Sequence, residues 1–110
     1  MSSQQADVRW ANPIEVKKWV EAGEALVIDV REVDEFAQGH IPGAINNPLS
    51  SFDPAKVPAA DDKKLVFHCK GGVRCGPASQ KYVAAGYSGT LYRLEGGIMA
   101  YQQFRGTLVR

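Results

Sequence analysis

Two short apolar runs constrain the fold of this chain more than any other feature of its sequence. Residues 25–30 and 65–68 are almost entirely apolar and lack the alternation of a strand that faces water on one side. Runs of this kind are typical of strands covered on both faces in a parallel sheet. Helical patterns alternate with them over short connections. The sequence therefore predicts an α/β fold of three layers, α/β/α, with a central, mostly parallel sheet.

The remaining predicted elements continue this alternation. A strand at 8–10 precedes a helix that begins after Asn12, because Asn12 is a good N-cap, Pro13 suits the first helical position and Gly23 ends the helix. The other expected elements are a helix at 32–38, a strand at 44–46, at most one helical turn within 49–56, a helix at 77–85, a strand at 90–94 and a helix at 98–104. The length predicts that residues 1–110 form a single domain.

Composition excludes several classes of protein. The 110 residues are 45% hydrophobic and 23% charged with a net charge of +1, which argues against intrinsic disorder. No apolar run approaches the length of a membrane span, and the N-terminus lacks the basic and apolar regions of a signal peptide. We therefore expect a soluble, cytoplasmic protein without a membrane partner. Two cysteines are too few for a disulfide scaffold, so we expect free thiols.

Charge is distributed unevenly along the chain. Residues 1–62 carry 5 Lys and Arg against 11 Asp and Glu, whereas residues 63–110 carry 8 against the single Glu95. Both cysteines lie in the basic half, which favours an anionic ligand near them. The basic residues are dispersed and form no recognisable nucleic-acid-binding motif, so a nucleic-acid partner is not expected.

The segment from 68 to 77, HCKGGVRCGP, carries the residues with chemistry. Cys69 directly follows a buried strand, and a helix is predicted after the loop. Gly71 and Gly72 let the backbone turn its N–H groups inward to form an anion-binding nest, to which the helix adds its positive N-terminal end. A thiolate is stabilised in such a setting, with a pKa below about 8.5. Cys69 is therefore the predicted nucleophile.

Two cations flank this loop. Arg74 presents a planar fork of donors suited to sulfate-like or phosphate-like oxyanions, and Lys70 adds a point charge at the rim. The alternative interpretation is that Cys69 is a buried, inert cysteine before a glycine turn. That alternative does not explain why two glycines, an arginine and a helix start occur together.

Three segments of the chain resemble the rhodanese-like sulfurtransferase superfamily, and single-domain rhodaneses in particular: residues 27–44, 69–74 and 94–98. The resemblance extends over nearly the whole chain and implies a rhodanese-like α/β/α domain. It implies that Cys69 carries a transferred sulfur as a persulfide, cradled by the amides of Lys70, Gly71, Gly72, Val73 and Arg74. Two positions depart from the family: Tyr101 stands where tryptophan is frequent, and Cys75 where serine or alanine is frequent. Neither departure removes a catalytic group.

The resemblance also implies a ping-pong reaction, that of a thiosulfate sulfurtransferase. The Cys69 thiolate attacks the outer sulfur of a donor such as thiosulfate, sulfite departs, and a thiol or cyanide takes the sulfur from the persulfide. The implied partners are a small anionic sulfur donor, a thiol or cyanide acceptor and, as a further candidate, a protein sulfur acceptor. No metal and no organic cofactor are implied.

Three alternative functions agree less well with the sequence than sulfur transfer does. Cysteine-dependent phosphatases resembling this fold have five residues between cysteine and arginine, whereas this chain has four, residues 70–73. A binding or regulatory module without activity commonly lacks the cysteine, which this chain retains. A zinc site is disfavoured because Cys69 and Cys75 have the wrong spacing for paired ligands and no pair of histidines complements them.

Cys75 follows Arg74 at the predicted helix start, which leaves two interpretations. Cys75 has a redox role, either by forming a disulfide with Cys69 or by capturing the persulfide sulfur. Alternatively, Cys75 is a small residue in a space usually given to serine or alanine.

Other polar residues are predicted to be structural. Asp29, Arg31, Glu32 and Glu35 are expected to form a salt-bridge and capping network, and His40 to be a hydrogen-bonded structural histidine. His68 precedes the nucleophile in a strand, where neighbouring side chains point to opposite faces, so it is a poor general base for Cys69. Gly96 and Gly97 are expected to shape a turn near the rim of the pocket.

Overall fold

A computed structural model describes residues 6–110 of the chain. Five strands form one sheet in the order β1-β5-β4-β2-β3, and every neighbouring pair of strands is parallel. The strands are β1 (Asp7–Ala11), β2 (Ala25–Asp29), β3 (Ile45–Asn46), β4 (Lys64–His68) and β5 (Thr90–Leu94). The helices are α1 (Pro13–Glu21), α2 (Val33–Gln38), α3 (Cys75–Ala84) and α4 (Gly97–Gln103). The predicted α/β class and its parallel sheet are confirmed.

Strand β4 shows why both faces of the sheet are covered. Leu65 and Phe67 belong to a core that also contains Ala78 of α3. Val66 belongs to a second core that also contains Val16 of α1 and Tyr101 of α4. Because successive side chains of a strand point to opposite faces, these two cores lie on opposite sides of the sheet. The apolar runs of the sequence thus correspond to strands buried between two helical layers.

Most boundaries lie within one residue of the prediction, and two segments differ by more. Helix α3 begins at Cys75, not at Pro77. The segment 49–56 contains two 3₁₀ turns, Leu49–Ser51 and Pro54–Lys56, where at most one helical turn was predicted. The second turn forms because the Asp53 carboxylate accepts a hydrogen bond from the Ala55 N–H at 3.0 Å, and Pro54 occupies the first position of the turn.

The predicted start of α1 is confirmed in detail. The Asn12 side-chain oxygen accepts a hydrogen bond from the Glu15 N–H at 2.8 Å, and Pro13 is the first helical residue.

Within residues 6–110, no helix has both the length and the apolar character needed to cross a membrane.

The parallel arrangement decides where a functional site can lie. All five strands end at the same edge of the sheet, and ligands bind beyond the carboxyl ends of strands in such folds. Cys69 follows β4, the central strand in the sheet order, and Glu95 and Gly96 follow its neighbour β5. The loop after β4 and the start of α4 therefore meet at this edge.

Candidate active site

The loop between β4 and α3 curls around the sulfur of Cys69. The Gly72 N–H donates a hydrogen bond to Cys69 Sγ at 3.1 Å. Cys69 is only 1% exposed, so its sulfur forms the floor of the loop. Gly72 adopts a φ of +103°, a conformation that side chains rarely tolerate, and this conformation turns its backbone into the loop.

Hydrogen bonds to the sulfur lower the pKa of Cys69 to about 4. The largest contribution is a hydrogen bond with the Cys75 side chain, and the backbone N–H groups of Cys75, Gly72 and Arg74 add to it against the opposing effect of burial. Each of these bonds favours the charged form of the sulfur. At neutral pH, Cys69 is therefore a thiolate, as the loop sequence predicted.

Cys75 lies beneath the same loop and is fully buried. Its Sγ donates to the Gly72 carbonyl at 3.3 Å and accepts a hydrogen bond from Arg93 Nε at 3.4 Å. The hydrogen bond with the Cys69 sulfur and burial both raise the pKa of Cys75. Cys75 therefore remains a protonated thiol while Cys69 is ionised. Both cysteines are free.

The Arg74 guanidinium does not stand alone at the end of the loop. Its Nη1 and Nη2 donate to the two carboxylate oxygens of Glu35 in α2, at 2.7 and 3.0 Å. This pair lowers the pKa of Glu35 to about 2, chiefly through the hydrogen bonds from Arg74. The backbone N–H of Arg74 contributes to the lowered pKa of Cys69. A substrate-binding role of the Arg74 side chain stays a prediction.

Three other residues of the loop differ from Cys69 in being exposed to solvent. Lys70, Gly71 and Val73 are exposed, and Val73 is 78% exposed. Lys70 borders a cleft of about 250 Å³ between α2 and α4, which Glu35 also lines. The structure thus brings Lys70 and the Cys69 cradle to one side of the sheet edge.

The start of α4 packs directly against the loop. The N–H groups of Ile98 and Met99 donate to the carbonyls of Cys69 and Lys70, at 2.9 and 3.2 Å. A Cβ on Gly97 would lie 2.7 Å from the Cys69 carbonyl oxygen, so only glycine fits there. The predicted turn at residues 96–97 is confirmed. The helix that follows it holds the backbone of the active-site loop through these two hydrogen bonds.

Comparison with known proteins identifies the family. Residues 12–104 match the profile of the family described as "Rhodanese-like domain". This chain belongs to the rhodanese-like family. The resemblance seen in the sequence is thereby confirmed, and membership supports sulfur transfer in general terms as the chemistry of this domain.

Several relatives of this rhodanese-like domain are known. The chain is 36% identical over 102 residues to an uncharacterized protein of Synechocystis sp., covering 93% of this chain and 56% of the relative. It is 36% identical over 93 residues to the tRNA uridine(34) hydroxylase of Erwinia tasmaniensis, covering 79% of this chain and 26% of the relative. The crystal structure of a rhodanese-related protein from Thermoplasma volcanium matches with a TM-score of 0.76 and 27% identity, covering 92% and 97% of the two chains. The chain thus spans about half of the Synechocystis protein and about a quarter of the Erwinia hydroxylase.

A polar network supports the rhodanese-like site from the neighbouring strand. Asp29 at the end of β2 accepts hydrogen bonds from the Arg31 guanidinium at 2.7 to 3.1 Å, and both residues are buried. The Glu32 N–H donates to the Glu35 carboxylate at 2.8 Å in a capping box that begins α2. The predicted salt-bridge and capping network is confirmed, and Glu35 extends it to Arg74, a link that the sequence did not indicate.

His68 and His40 are structural in this domain. His68 is fully buried, with Nδ1 3.1 Å from the Cys69 carbonyl oxygen and Nε2 3.5 Å from the Asp29 carboxylate. Burial lowers its pKa, so it is neutral at neutral pH. His40 Nδ1 lies 3.0 Å from the Phe36 carbonyl oxygen, and the two rings stack at 3.8 Å.

One participant at the site was missed in the sequence. Arg93, in β5, donates from Nη2 to the Gly72 carbonyl at 3.0 Å as well as from Nε to Cys75. No local motif indicates this contact, because 21 residues separate Arg93 from Gly72.

Among residues 6–110, no group of three or more histidine, cysteine, aspartate and glutamate side chains is arranged to hold a metal ion.

Proposed function

We propose that this rhodanese-like domain is a thiosulfate sulfurtransferase that works through a persulfide on Cys69. The Cys69 thiolate attacks the outer sulfur of thiosulfate, a sulfur–sulfur bond forms, and the bond to the sulfonate sulfur breaks with release of sulfite. The persulfide then passes its outer sulfur to cyanide or a thiol and regenerates the thiolate. Charge and atoms balance in both steps without a metal or an added oxidant.

The observation that carries this proposal is the set of backbone N–H donors around the Cys69 sulfur. The Gly72 N–H donates a hydrogen bond to it at 3.1 Å, and the backbone N–H groups of Cys75 and Arg74 help to lower its pKa. Preorganised donors of this kind stabilise negative charge without reorganisation during the reaction. They suit a thiolate before the reaction and a persulfide anion after it.

The size of the loop supports sulfur over phosphate. Four residues separate Cys69 from Arg74, and the Arg74 guanidinium is engaged by Glu35. A tetrahedral phosphate bound at this site needs a wider ring of donors and a guanidinium that is free to face it. We therefore expect thiosulfate turnover to exceed hydrolysis of an aryl phosphate by a wide margin.

The activity named for the tRNA uridine(34) hydroxylases belongs to proteins of which this chain spans about a quarter to a third. A thiolate in a cradle of N–H donors supports group transfer on sulfur. A protein that accepts the persulfide sulfur is proposed as a further partner. A cytoplasmic location is proposed because a reducing compartment keeps the two free cysteines as thiols.

Intact-mass measurement after treatment with thiosulfate tests the proposal directly. The wild-type protein is expected to gain the mass of one sulfur atom and to lose it again when cyanide is added, with thiocyanate formed. The matched controls are Cys69→Ser, which is expected to gain nothing, and Cys75→Ser, which is expected to gain one sulfur like the wild type. If Cys69→Ser gains the sulfur, or if the wild type gains none, the persulfide mechanism is wrong.

A further inference from the structure

Gly72 directs its two backbone polar groups to different partners. Its N–H donates to Cys69 Sγ at 3.1 Å, whereas its carbonyl accepts a hydrogen bond from Arg93 Nη2 at 3.0 Å. The thiol of Cys75, which is fully buried, donates to the same carbonyl at 3.3 Å. The Gly72 carbonyl is therefore held on the buried side of the loop.

Arg93 reaches this carbonyl from the sheet. It lies in β5 directly opposite Trp10 of β1, and its guanidinium carbon is 3.9 Å from the centre of the Trp10 ring. A guanidinium is attracted to an indole face and stacks on it. Arg93 forms no ion pair within residues 6–110, so its charge strengthens the hydrogen bond to the carbonyl. Contacts within the fold, and not a ligand, thus set the direction of its donors.

The carbonyl of Gly72 belongs to the same peptide unit as the N–H of Val73. This peptide is trans, so its C=O and its N–H point in opposite directions. Because the carbonyl is turned to Arg93, the Val73 N–H points away from the buried side and toward the solvent side of the loop, where the Val73 side chain is 78% exposed. This N–H donates to no backbone acceptor in the part of the chain that the structure describes. It is therefore available to a ligand.

The orientation of this peptide needs an anchor because glycine lets the peptide turn over. Gly72 has a φ of +103°, and glycine adopts positive and negative φ with similar ease. A peptide turned over would present the Gly72 carbonyl oxygen to the ligand in place of the Val73 N–H. That oxygen carries a negative partial charge and would repel an anionic sulfur. A donor fixed on the buried side prevents this.

We propose that Arg93, stacked on Trp10, is a positioning residue for the transferred sulfur. By holding the Gly72 carbonyl on the buried side, it turns the Val73 N–H toward the sulfur atom that Cys69 receives. The inference rests on the proposed function, but the two fail differently. A wild type that gains no sulfur refutes the proposed function, whereas full turnover in a variant without the Arg93 guanidinium refutes only this role.

The first experiment observes the anchored peptide directly. Glycine is followed by valine only at residues 72–73, so labelling with carbonyl-¹³C glycine and ¹⁵N valine gives a single carbonyl–nitrogen correlation in NMR spectra. Arg93→Met is expected to move the carbonyl carbon upfield, because the carbonyl loses a charged donor. Lys81→Met removes a positive charge from an exposed position of α3 and is the control, expected to keep the wild-type signal. An unchanged carbonyl signal in Arg93→Met overturns the proposal.

The second experiment separates the transferred sulfur from the nucleophile itself. Arg93→Met is expected to lower kcat/KM for thiosulfate about tenfold, the effect of one lost hydrogen bond to an anion. The pH midpoint of Cys69 alkylation by iodoacetamide is expected to stay near that of the wild type, because the Gly72 N–H that bonds the thiolate belongs to the preceding peptide. Wild-type turnover, or a loss of turnover accompanied by a shifted midpoint, overturns the role assigned to the Val73 N–H.

Trp10 supplies variants that leave the charge of the protein unchanged. Its side chain is 52% exposed, so its replacement leaves the core intact. Trp10→Leu removes the aromatic face and is expected to move the carbonyl signal upfield and to lower kcat/KM about two- to threefold. Trp10→Phe keeps a ring and is expected to lie nearer the wild type in both measurements. Circular dichroism and thermal unfolding identify any variant that fails to fold. If Arg93→Met is one of these, the Trp10 pair decides, and a Trp10→Leu variant identical to the wild type overturns the proposal.

Discussion

Arg74 and Glu35 form a bidentate ion pair that joins the end of the active-site loop to α2. The two hydrogen bonds measure 2.7 and 3.0 Å, and 39 residues separate the partners in sequence. The side chains are 31% and 29% exposed, so the pair is partly shielded from solvent. Glu35 neutralises the charge that was expected to meet the sulfur donor. Lys70 is then the exposed cation of the loop without an ion-pair partner within residues 6–110.

Lys70→Ala is expected to raise the KM for thiosulfate about twofold at low salt. The effect should vanish at high salt, because an exposed charge is screened beyond about 10 Å at 0.1 M. Steady-state assays over a range of ionic strength measure this. Arg74→Ala is expected to raise KM more steeply and independently of salt, since it also loosens the loop. Equal, salt-independent effects of the two substitutions would contradict this division of roles.

Glu35→Gln is expected to lower the free energy of unfolding in a pH-dependent way. The folded protein lowers the pKa of Glu35 from 4.5 to about 2, so between these values the unfolded chain binds more protons than the folded one. The contribution of the pair is therefore complete above about pH 4.5 and is lost as the pH falls toward 2. Denaturant unfolding of wild type and variant at several pH values measures it. A difference between the two proteins that is as large at pH 2 as at pH 7 would refute the assignment.

Sulfur transfer is expected to persist into mildly acidic solution. The active form of Cys69 is the thiolate, and its pKa of about 4 means that the thiolate fraction declines only as the pH falls toward that value. The pH dependence of kcat/KM for thiosulfate measures this. Free cysteine, with a pKa of about 8.5, supplies the comparison. Loss of activity with a midpoint near that of free cysteine would show that the cradle does not ionise Cys69.

Gly97→Ala is expected to destabilise the protein by roughly 2 to 4 kcal/mol, because it combines backbone strain with overpacking. Its φ is +63°, and the added Cβ would lie 2.7 Å from the Cys69 carbonyl oxygen. Gly23→Ala is the matched control, since Gly23 has a φ of +72° and nothing within 4 Å of its Cβ position. The control is expected to cost about 1 to 2 kcal/mol. Thermal unfolding compares them, and equal losses would show that the contact with the loop is unimportant.

Much of the fold follows from local signals in the sequence. The start of α1 was predicted because Asn12 and Pro13 act on the nearest backbone groups. Strand β5 was predicted with its observed bounds, Thr90–Leu94. The start of α3 was misplaced because Pro77 is typical of a first helical position. In the structure, Pro77 is the third residue of α3, where the backbone N–H still lacks a helical partner and its absence costs little.

The nucleophile of the site could be predicted from the sequence, but the contacts that support it could not. Cys69, its glycines and the helix start lie within a few residues of one another, so their joint chemistry is visible in the sequence. The contacts of Arg74 with Glu35 and of Arg93 with Gly72 depend on how α2 and β5 approach the loop. Tertiary packing determines such pairs, and no spacing rule connects residues 21 or 39 positions apart.

The redox role of Cys75 stays a prediction. From the structure, we expect the alternative, that Cys75 only fills space and takes no part in oxidation. Cys75 is fully buried, and its raised pKa keeps it protonated, so little thiolate is available to attack an oxidised Cys69. Wild type and Cys75→Ser are therefore expected to lose activity alike under mild peroxide. Before oxidation, Cys75→Ser is expected to keep near-normal thiosulfate turnover, because the nucleophile and its amide cradle remain.

The measurement combines free-thiol counting, intact mass and activity before and after a reductant. If wild type forms a Cys69–Cys75 disulfide and recovers activity on reduction while Cys75→Ser does not, the redox role is correct. Overoxidation of Cys69 to the same extent in both proteins, with no disulfide in the wild type, would exclude it. The second result is expected, because the Cys75 sulfur is already engaged by Arg93 at 3.4 Å and faces the Gly72 carbonyl at 3.3 Å.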